Sequence, residues 1–229
     1  MRWLGTAAAV GVAAYWLPTV SSVVPALRAP FGVLDHISDT CRVALTFDDG
    51  PHPEGTPAVL EWLAGAGAVA TFFMVGEQVE RWPGLAAEVA AAGHTIGLHA
   101  YRHDTLSRLG PWRLSRDLDA ATEVLQGVTG RELRFCRAPR GIPTMGDVVL
   151  AHRHGRKIVH WSRWGKDWKV RATAESIASL VVKNLRGGDI VLLHDADHYS
   201  APGSWRRTVA ALPLIRQAMD ERELGFAAL

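Results

Sequence analysis

The stretch VALTFDDGPHPEGTP, Val43 to Pro57, decides the fold. A run of apolar and β-branched residues ends in two adjacent carboxylates, Asp48 and Asp49, and then in Gly50 and Pro51. The run has the length of a buried strand, and the glycine and proline close it. Like charges side by side raise each other's cost of ionising, more so where water is scarce. A strand that ends in such a pair calls for a cation nearby.

Short apolar runs alternate with helical patterns on both sides of this stretch, which argues for βα units and a parallel sheet. Val43–Phe47 reads as the first strand. Thr56 reads as an N-cap with Pro57 at the first helical position, opening a helix through Leu63. A second strand covers Val69–Val75, a helix runs from about Glu77 to Ala92, and a third strand covers His94–Leu98. Gly110 and Pro111 open a helix with Leu114, Leu118, Ala121 and Leu125 on one face. Leu133–Cys136 and Lys157–Ser162 are the fourth and fifth strands, and a helix near Asp147 to Arg153 separates them. A helix near Ala174 to Leu185 precedes the sixth strand, Asp189–Leu193. A last helix near Trp205 to Arg222 precedes the seventh, Gly225–Ala228. Seven βα units in roughly 190 residues are fewer than a full eight-fold barrel uses. The expected fold is therefore a shortened (β/α) barrel, with a doubly wound open sheet as the alternative.

Ionisable groups recur where these strands end. Asp48 and Asp49 follow the first, His99 and His103 the third, and Arg137 lies at the fourth. Asp167 and Trp168 follow the fifth, and His194 ends the sixth. Each is ordinary taken singly, because Asp-Asp-Gly is often a turn and a histidine pair four apart is often a surface pair. In a parallel βα barrel, however, all these ends form one rim, and active sites sit there. His99, His103 and one carboxylate of the doublet supply three ligands with a fourth position open, the arrangement of catalytic zinc sites. A divalent cation stabilises a carboxylate in its charged form. One aspartate can then ligate while the other stays free beside a metal-bound water.

These residues resemble the polysaccharide deacetylase (NodB-like) family of carbohydrate esterases over Arg42 to Leu229. The motifs that carry the resemblance are TFDDG (Thr46–Gly50), HAYRH (His99–His103), RAPRG (Arg137–Gly141), DW (Asp167–Trp168) and LLHD (Leu192–Asp195). The resemblance implies a distorted seven-stranded (β/α) barrel that removes acetyl groups from N-acetylated sugars such as chitin oligomers and peptidoglycan. It implies Asp48 as general base, with Asp49, His99 and His103 as ligands of a divalent metal. That metal is expected to be zinc, with cobalt or another divalent ion as alternatives. It implies His194 as general acid, oriented by Asp167, and Arg137 as the partner of Asp48. Trp168 and Leu192 would wall the acetyl pocket, and the backbone N–H of Arg140 would face an oxyanion. Three positions depart from the family pattern: Ala100 where Ser or Thr is usual, Arg140 where an aromatic is usual, and Trp164 where an acid is frequent. Beyond the motifs, Tyr199 in DADHYSAPGSWRRT (Asp195–Thr208) is a candidate sugar-stacking residue, while Trp205 has packing of the last helix as its alternative.

Other classes are disfavoured. The chain of 229 residues is 48% hydrophobic, carries 9 Trp and has a net charge of +2. No block of like charge marks a nucleic-acid footprint. The Arg-bearing stretches Arg131–Arg134 and Arg153–Lys157 read as solvated faces. Two histidines and a carboxylate also make the facial triad of non-haem iron oxygenases, but the neighbouring Asp48 and the distant His194 suit hydrolysis better. A sugar-binding barrel without turnover, and a deacylase or amidase for another acyl substrate, are the remaining alternatives. Cys41 and Cys136 fall at opposite ends of the barrel, too far apart to bridge, and are expected as two buried small hydrophobes.

From Trp3 to Leu27 the chain has no charge. The most apolar part, Leu4–Leu17, has the length of a signal-peptide h-region, and Val24-Pro25-Ala26 offers a cleavage site. An uncleaved anchor over about Trp3 to Val24 is the competitor. Residues 1–35 are thus expected as signal peptide or membrane anchor plus linker, and 36–229 as the barrel domain. The protein is expected to be exported, with a polysaccharide or oligosaccharide partner and membrane contact only through this segment.

Overall fold

The computed structural model describes residues 11–104 and 110–229. The expected apolar run Leu4–Leu17 lies in part outside them, over residues 4–10. A helical stretch over residues 11–16 leads into short 3-10 turns at Leu17–Ser22, Pro25–Leu27 and Ala29–Phe31. The strands are β1 (Val33–Leu34), β2 (Arg42–Asp48), β3 (Thr71–Met74), β4 (Thr95–Leu98), β5 (Phe135–Cys136), β6 (Lys157–Val159), β7 (Arg163–Trp164), β8 (Ile190–His194) and β9 (Gly225–Ala227). The α-helices are α1 (Gly55–Gly65), α2 (Gly76–Arg81), α3 (Pro83–Ala91), α4 (Pro111–Thr129), α5 (Met145–Arg153), α6 (Ala174–Val182) and α7 (Ser204–Asp220). All strand pairs are parallel, in the order β1-β6-β5-β4-β3-β2-β8-β7, and β9 branches from β2.

This is the expected barrel of parallel strands wrapped by helices. The seven expected strands are all present, and β1 and β7 add two residues each to the sheet among the described residues. β2 is its spine. Six of its seven residues are buried, as befits a strand covered on both faces. Phe47 stacks on Phe72 of β3, with ring centroids 5.2 Å apart. Around them Leu45, Leu63, Met74, Val79, Leu125, Ile177 and Ile215 form one apolar core between sheet and helices. The register levels the strand ends. Asp48 lies opposite Phe73 of β3 and opposite His194 of β8, and Leu98 lies opposite Cys136.

Several local expectations are corrected. Thr56 does not cap α1 but sits within its first turn. Its Oγ1 accepts the His52 N–H at 2.7 Å and donates to Asp195 Oδ2 at 2.5 Å. His52 takes over the cap, its Nδ1 accepting the N–H groups of Glu54 and Gly55 at 3.2 and 2.9 Å. The helix expected over Glu77–Ala92 is two helices, because Pro83 lacks an N–H and forces Trp82 out of helical geometry. The expected fifth strand, Lys157–Ser162, is shortened: Lys157–Val159 pairs with β1 and β5, and beyond its expected end the chain crosses so that Arg163–Trp164 pairs with β8. Cys41 is exposed rather than buried, and Cys136 is half-buried; both are free thiols.

The residues before the barrel pack on it. Pro18 and Ser21 are buried. Arg28 is 8% exposed, and it donates to Ser21 O at 3.1 Å, Asp35 Oδ2 at 2.7 Å and Trp161 O at 3.1 Å. Among the described residues no helix is long and apolar enough to cross a membrane.

Candidate active site

The rim formed by the carboxyl ends of β2, β4, β5 and β8 encloses a cavity of about 200 Å³. Asp48, Asp49, His99, His103, Arg140, Trp168, Leu192, His194 and Tyr199 all line it. Arg137 and Asp167 stand behind the lining and hold it.

Asp49 is the first residue beyond β2 and turns into the cavity from a left-handed backbone, φ +79°. Its Oδ1 is 3.5 Å from the Nε2 of both His99 and His103. One ligand atom from each of the three residues lies within 4.8 Å of the others. His99 Nδ1 is 2.8 Å from the Arg137 carbonyl, so it carries the proton and leaves a lone pair on Nε2 toward Asp49. Asp49 Oδ1 is buried without a hydrogen-bond partner. An orphaned buried carboxylate oxygen facing two imidazole nitrogens fits a divalent ion with nitrogen and oxygen ligands. Burial raises the cost of charging Asp49, but the His99 contact and the neighbouring His194 and His103 outweigh it and hold the carboxyl well below the usual range. Burial, helped by His99 and Arg140, pushes His103 down to about 4, against the pull of Asp49. A neutral imidazole is the form that ligates.

Asp48 belongs to a different pair. Its Oδ1 accepts from Arg137 Nη1 at 2.6 Å, and its Oδ2 stands 3.8 Å from His99 Nε2. Arg137 is fully buried and fully employed. It donates also to Thr46 Oγ1 at 2.9 Å, His160 O at 3.2 Å and Val159 O at 3.3 Å, and its guanidinium lies 4.1 Å over the Phe73 ring. A rigid fork with this many acceptors fixes the carboxylate to one orientation.

On the opposite wall, His194 Nδ1 is 2.9 Å from Asp167 Oδ1, and the His194 backbone N–H donates to Asp167 Oδ2 at 2.8 Å. Thr208 Oγ1 completes the carboxylate's shell at 2.8 Å. Nε2 of His194 therefore faces the cavity, 3.8 Å from Asp49 Oδ2. Burial disfavours the charged ring, but Asp167, and then Asp49 and Asp48, raise it to about 10. The contact with Asp167 thereby favours the protonated imidazole.

Arg140 is exposed, with φ +59°, and Ala100, buried beside His99, has φ +72°. Tyr199 stacks on His103 at 4.4 Å, while its hydroxyl donates to Glu77 at 2.7 Å and accepts from Gln78 at 3.1 Å. Trp205 is buried against Gly55 and His52, so packing is its role. The sequence reading did not single out Trp161, Trp164, Gly141 and Ser200 as lining residues. The recurring tryptophans of HWSRWGKDW were the available signal for the first two. Nor did it single out Asp195, whose buried carboxyl is pushed up to about 7 by desolvation.

Comparisons with known proteins agree with this geometry. Residues 37–159 match the polysaccharide deacetylase family model. A chitooligosaccharide deacetylase of Bradyrhizobium sp. is 36% identical over 88% of this chain and 92% of its own length. A peptidoglycan-N-acetylglucosamine deacetylase of Bacillus cereus is 37% identical over 80% of this chain and 84% of its own. A solved peptidoglycan N-acetylglucosamine deacetylase superposes with a TM-score of 0.81 at 28% identity, covering 89% of this chain and 94% of that one. By motif, fold and likeness, the chain belongs to the polysaccharide deacetylase family of divalent-metal-dependent hydrolases.

Proposed function

We propose that the protein hydrolyses the acetamide of N-acetylglucosamine units in a chitin-like or peptidoglycan-type glycan, using zinc held by Asp49, His99 and His103. One observation carries the reading. The three-ligand cluster lies between an aspartate clamped by a buried arginine and a histidine clamped by a buried aspartate. That is a base and an acid on two sides of one space. A bound divalent ion supplies Lewis acidity and lowers the pKa of its water toward about 7. The residues of the chain do the rest. Asp48, held by Arg137, takes the proton of the attacking water. The Arg140 backbone N–H supports the developing oxyanion. His194, kept charged by Asp167, passes its Nε2 proton to the departing amine, which leaves poorly otherwise. Trp168 and Leu192 enclose the acetyl methyl, and Tyr199 borders the sugar.

Acetate release by the full chain from N-acetylglucosamine oligomers and from peptidoglycan tests this directly. Activity is expected to vanish on chelation and to return with zinc or cobalt. Absence of acetate from every glycan, in a folded protein that binds metal, would reject it.

We further propose that the protein is exported through its uncharged N-terminal segment and retains that segment from about Ser21. The burial of Ser21, the Arg28 bond to its carbonyl and the Arg28 bond to Trp161 O support retention and a domain that begins upstream of residue 36. The N-terminal mass of protein recovered from cells, set beside its fractionation, decides it: a start after Ala26 would reject retention.

A further inference from the structure

We propose that the face formed by the first turns of α4 and the outer side of α5 docks on an anionic lipid bilayer. The barrel itself, and not only its N-terminal segment, then lies against the membrane.

An apolar groove of about 380 Å³ runs along these two helices, which touch each other. Tyr15, Trp112, Met145 and Val149 are among the residues that line it, Arg153 is the one charged residue of the lining, and no acid takes part. Its floor is packed: a Cβ on Gly146 would come within 2.7 Å of Leu114 on α4 and 2.9 Å of the Tyr15 hydroxyl. Its rim is bare. Trp112 is 84% exposed and Val149 55%. Val12 and Leu17, on either side of Tyr15, are exposed as well. Apolar side chains scattered singly over a surface need no explanation, whereas a contiguous patch marks a contact.

The charges beside the patch say what makes that contact. Arg116 stands four residues after Trp112 on α4, and Arg153 four after Val149 on α5, so each pair shares a helix face. Both arginines are exposed, as is Arg113, and among the described residues none of the three has a side-chain hydrogen bond or an ion pair. The acids of α4 are engaged elsewhere. Asp117 accepts the N–H groups of Tyr101 and Arg102 at 2.9 and 3.2 Å. Asp119 accepts from Ser115 at 3.1 Å and stands 3.7 Å from His154. Unpaired arginines around an exposed indole and valine match the two layers of a membrane surface. The guanidinium groups meet lipid phosphates, and the apolar side chains enter the boundary between headgroups and acyl chains. The course of the chain favours lipid over an acidic protein. An uncharged stretch from Trp3 to Leu27 suits passage to a membrane, and Tyr15 within it lines the groove. α4 and α5 keep the patch whether or not the residues before Ser21 remain on the chain.

The test uses the full chain with vesicles of phosphatidylcholine alone and of phosphatidylcholine mixed equally with phosphatidylglycerol. The chain is expected to bind the anionic vesicles more tightly and to lose that preference in high salt. Arg116→Gln and Arg153→Gln should each weaken this binding about fivefold, the share of one cation near an anionic surface. Val149→Glu, which sets an acid in the patch, should weaken it as well. Bromine-labelled lipid should quench more emission from the native chain than from Trp112→Phe, which isolates this indole from the other tryptophans. None of these four residues lines the catalytic cavity, so acetate release from a soluble oligomer and the far-ultraviolet circular dichroism should be unchanged in every variant. Binding that ignores both lipid charge and the variants, with equal quenching, would overturn the proposal and leave attachment to the N-terminal segment alone. No binding to either vesicle at low salt would overturn it in favour of an acidic protein. A dimer in sedimentation, abolished by Val149→Glu, would overturn it in favour of a second copy of the chain.

Discussion

Arg137 is 1% exposed and Asp48 3%, so each charge depends on the other. Removing one partner of such a pair leaves a buried charge uncompensated, which costs about 3–5 kcal/mol. Arg137→Met is expected to lose stability of that order in urea unfolding, and activity with it, because Asp48 loses its fixed orientation. The His194 variant should behave differently. His194→Ala removes a proton donor but no proposed ligand, so metal content measured by mass spectrometry should be retained. Its rate should fall about 100- to 10,000-fold, the usual contribution of an acid–base group. Near-normal turnover would remove His194 from the mechanism. These residues were legible in the sequence because each stands at the end of an apolar run, where the period breaks and a charge begins. Trp161 and Trp164 were not, since a tryptophan in a loop or in a two-residue strand shows no period and packs as readily as it binds.

At the scale of elements, a strand pattern fixes where a side chain leaves the sheet but not what the next turn does with it. Thr56 had the sequence of a cap, yet Asp195, far along the chain, claims its hydroxyl. Pro83 divided a helix that read as continuous. β1 and β7 have two residues each, too short for any alternation to show. Between β3 and β4 the sheet makes a demand that the sequence expressed only as one glycine. A Cβ on Gly97 would enter the Phe73 ring, and that ring carries the guanidinium of Arg137. Gly97→Ala is expected to cost about 1–3 kcal/mol through overpacking, visible as a lower urea midpoint. Activity should fall as well, as Arg137 is displaced from Asp48. A variant with unchanged midpoint and rate would show that Phe73 yields freely.

For the whole molecule, acid should loosen the fold already above the range in which ordinary carboxylates take protons. Burial, then the charges of Arg28 and Arg137, push His160 down to about 4, and burial also depresses His94. The unfolded chain accepts these protons near the ordinary value of 6.5, and the folded chain only lower. Between those values the unfolded state binds more protons. The stability from neutral His160 is thus present above 6.5 and lost as pH falls toward about 4, at up to about 1.4 kcal/mol per pH unit. Urea midpoints from pH 7 to 4.5 should decline, and His160→Gln should flatten the slope by about one proton. An unaltered slope would show that His160 is charged in the fold. The barrel as a whole was legible because seven apolar runs and their helices alternate. The packing of Ser21 and Arg28 was not, since an uncharged leader reads alike whether it leaves the chain or stays on the barrel. One rim feature also bears on engineering. Ala100 holds a left-handed backbone with a Cβ attached, a conformation that costs alanine about 1–2 kcal/mol and glycine almost nothing. Glycine's extra freedom in the unfolded chain takes back about 0.5–1 kcal/mol, so Ala100→Gly is expected to gain on the order of 1 kcal/mol, roughly 2–4 °C in melting temperature. With alanine there, the backbone between His99 and His103 has fewer conformations open to it than glycine would allow, at the expense of melting temperature.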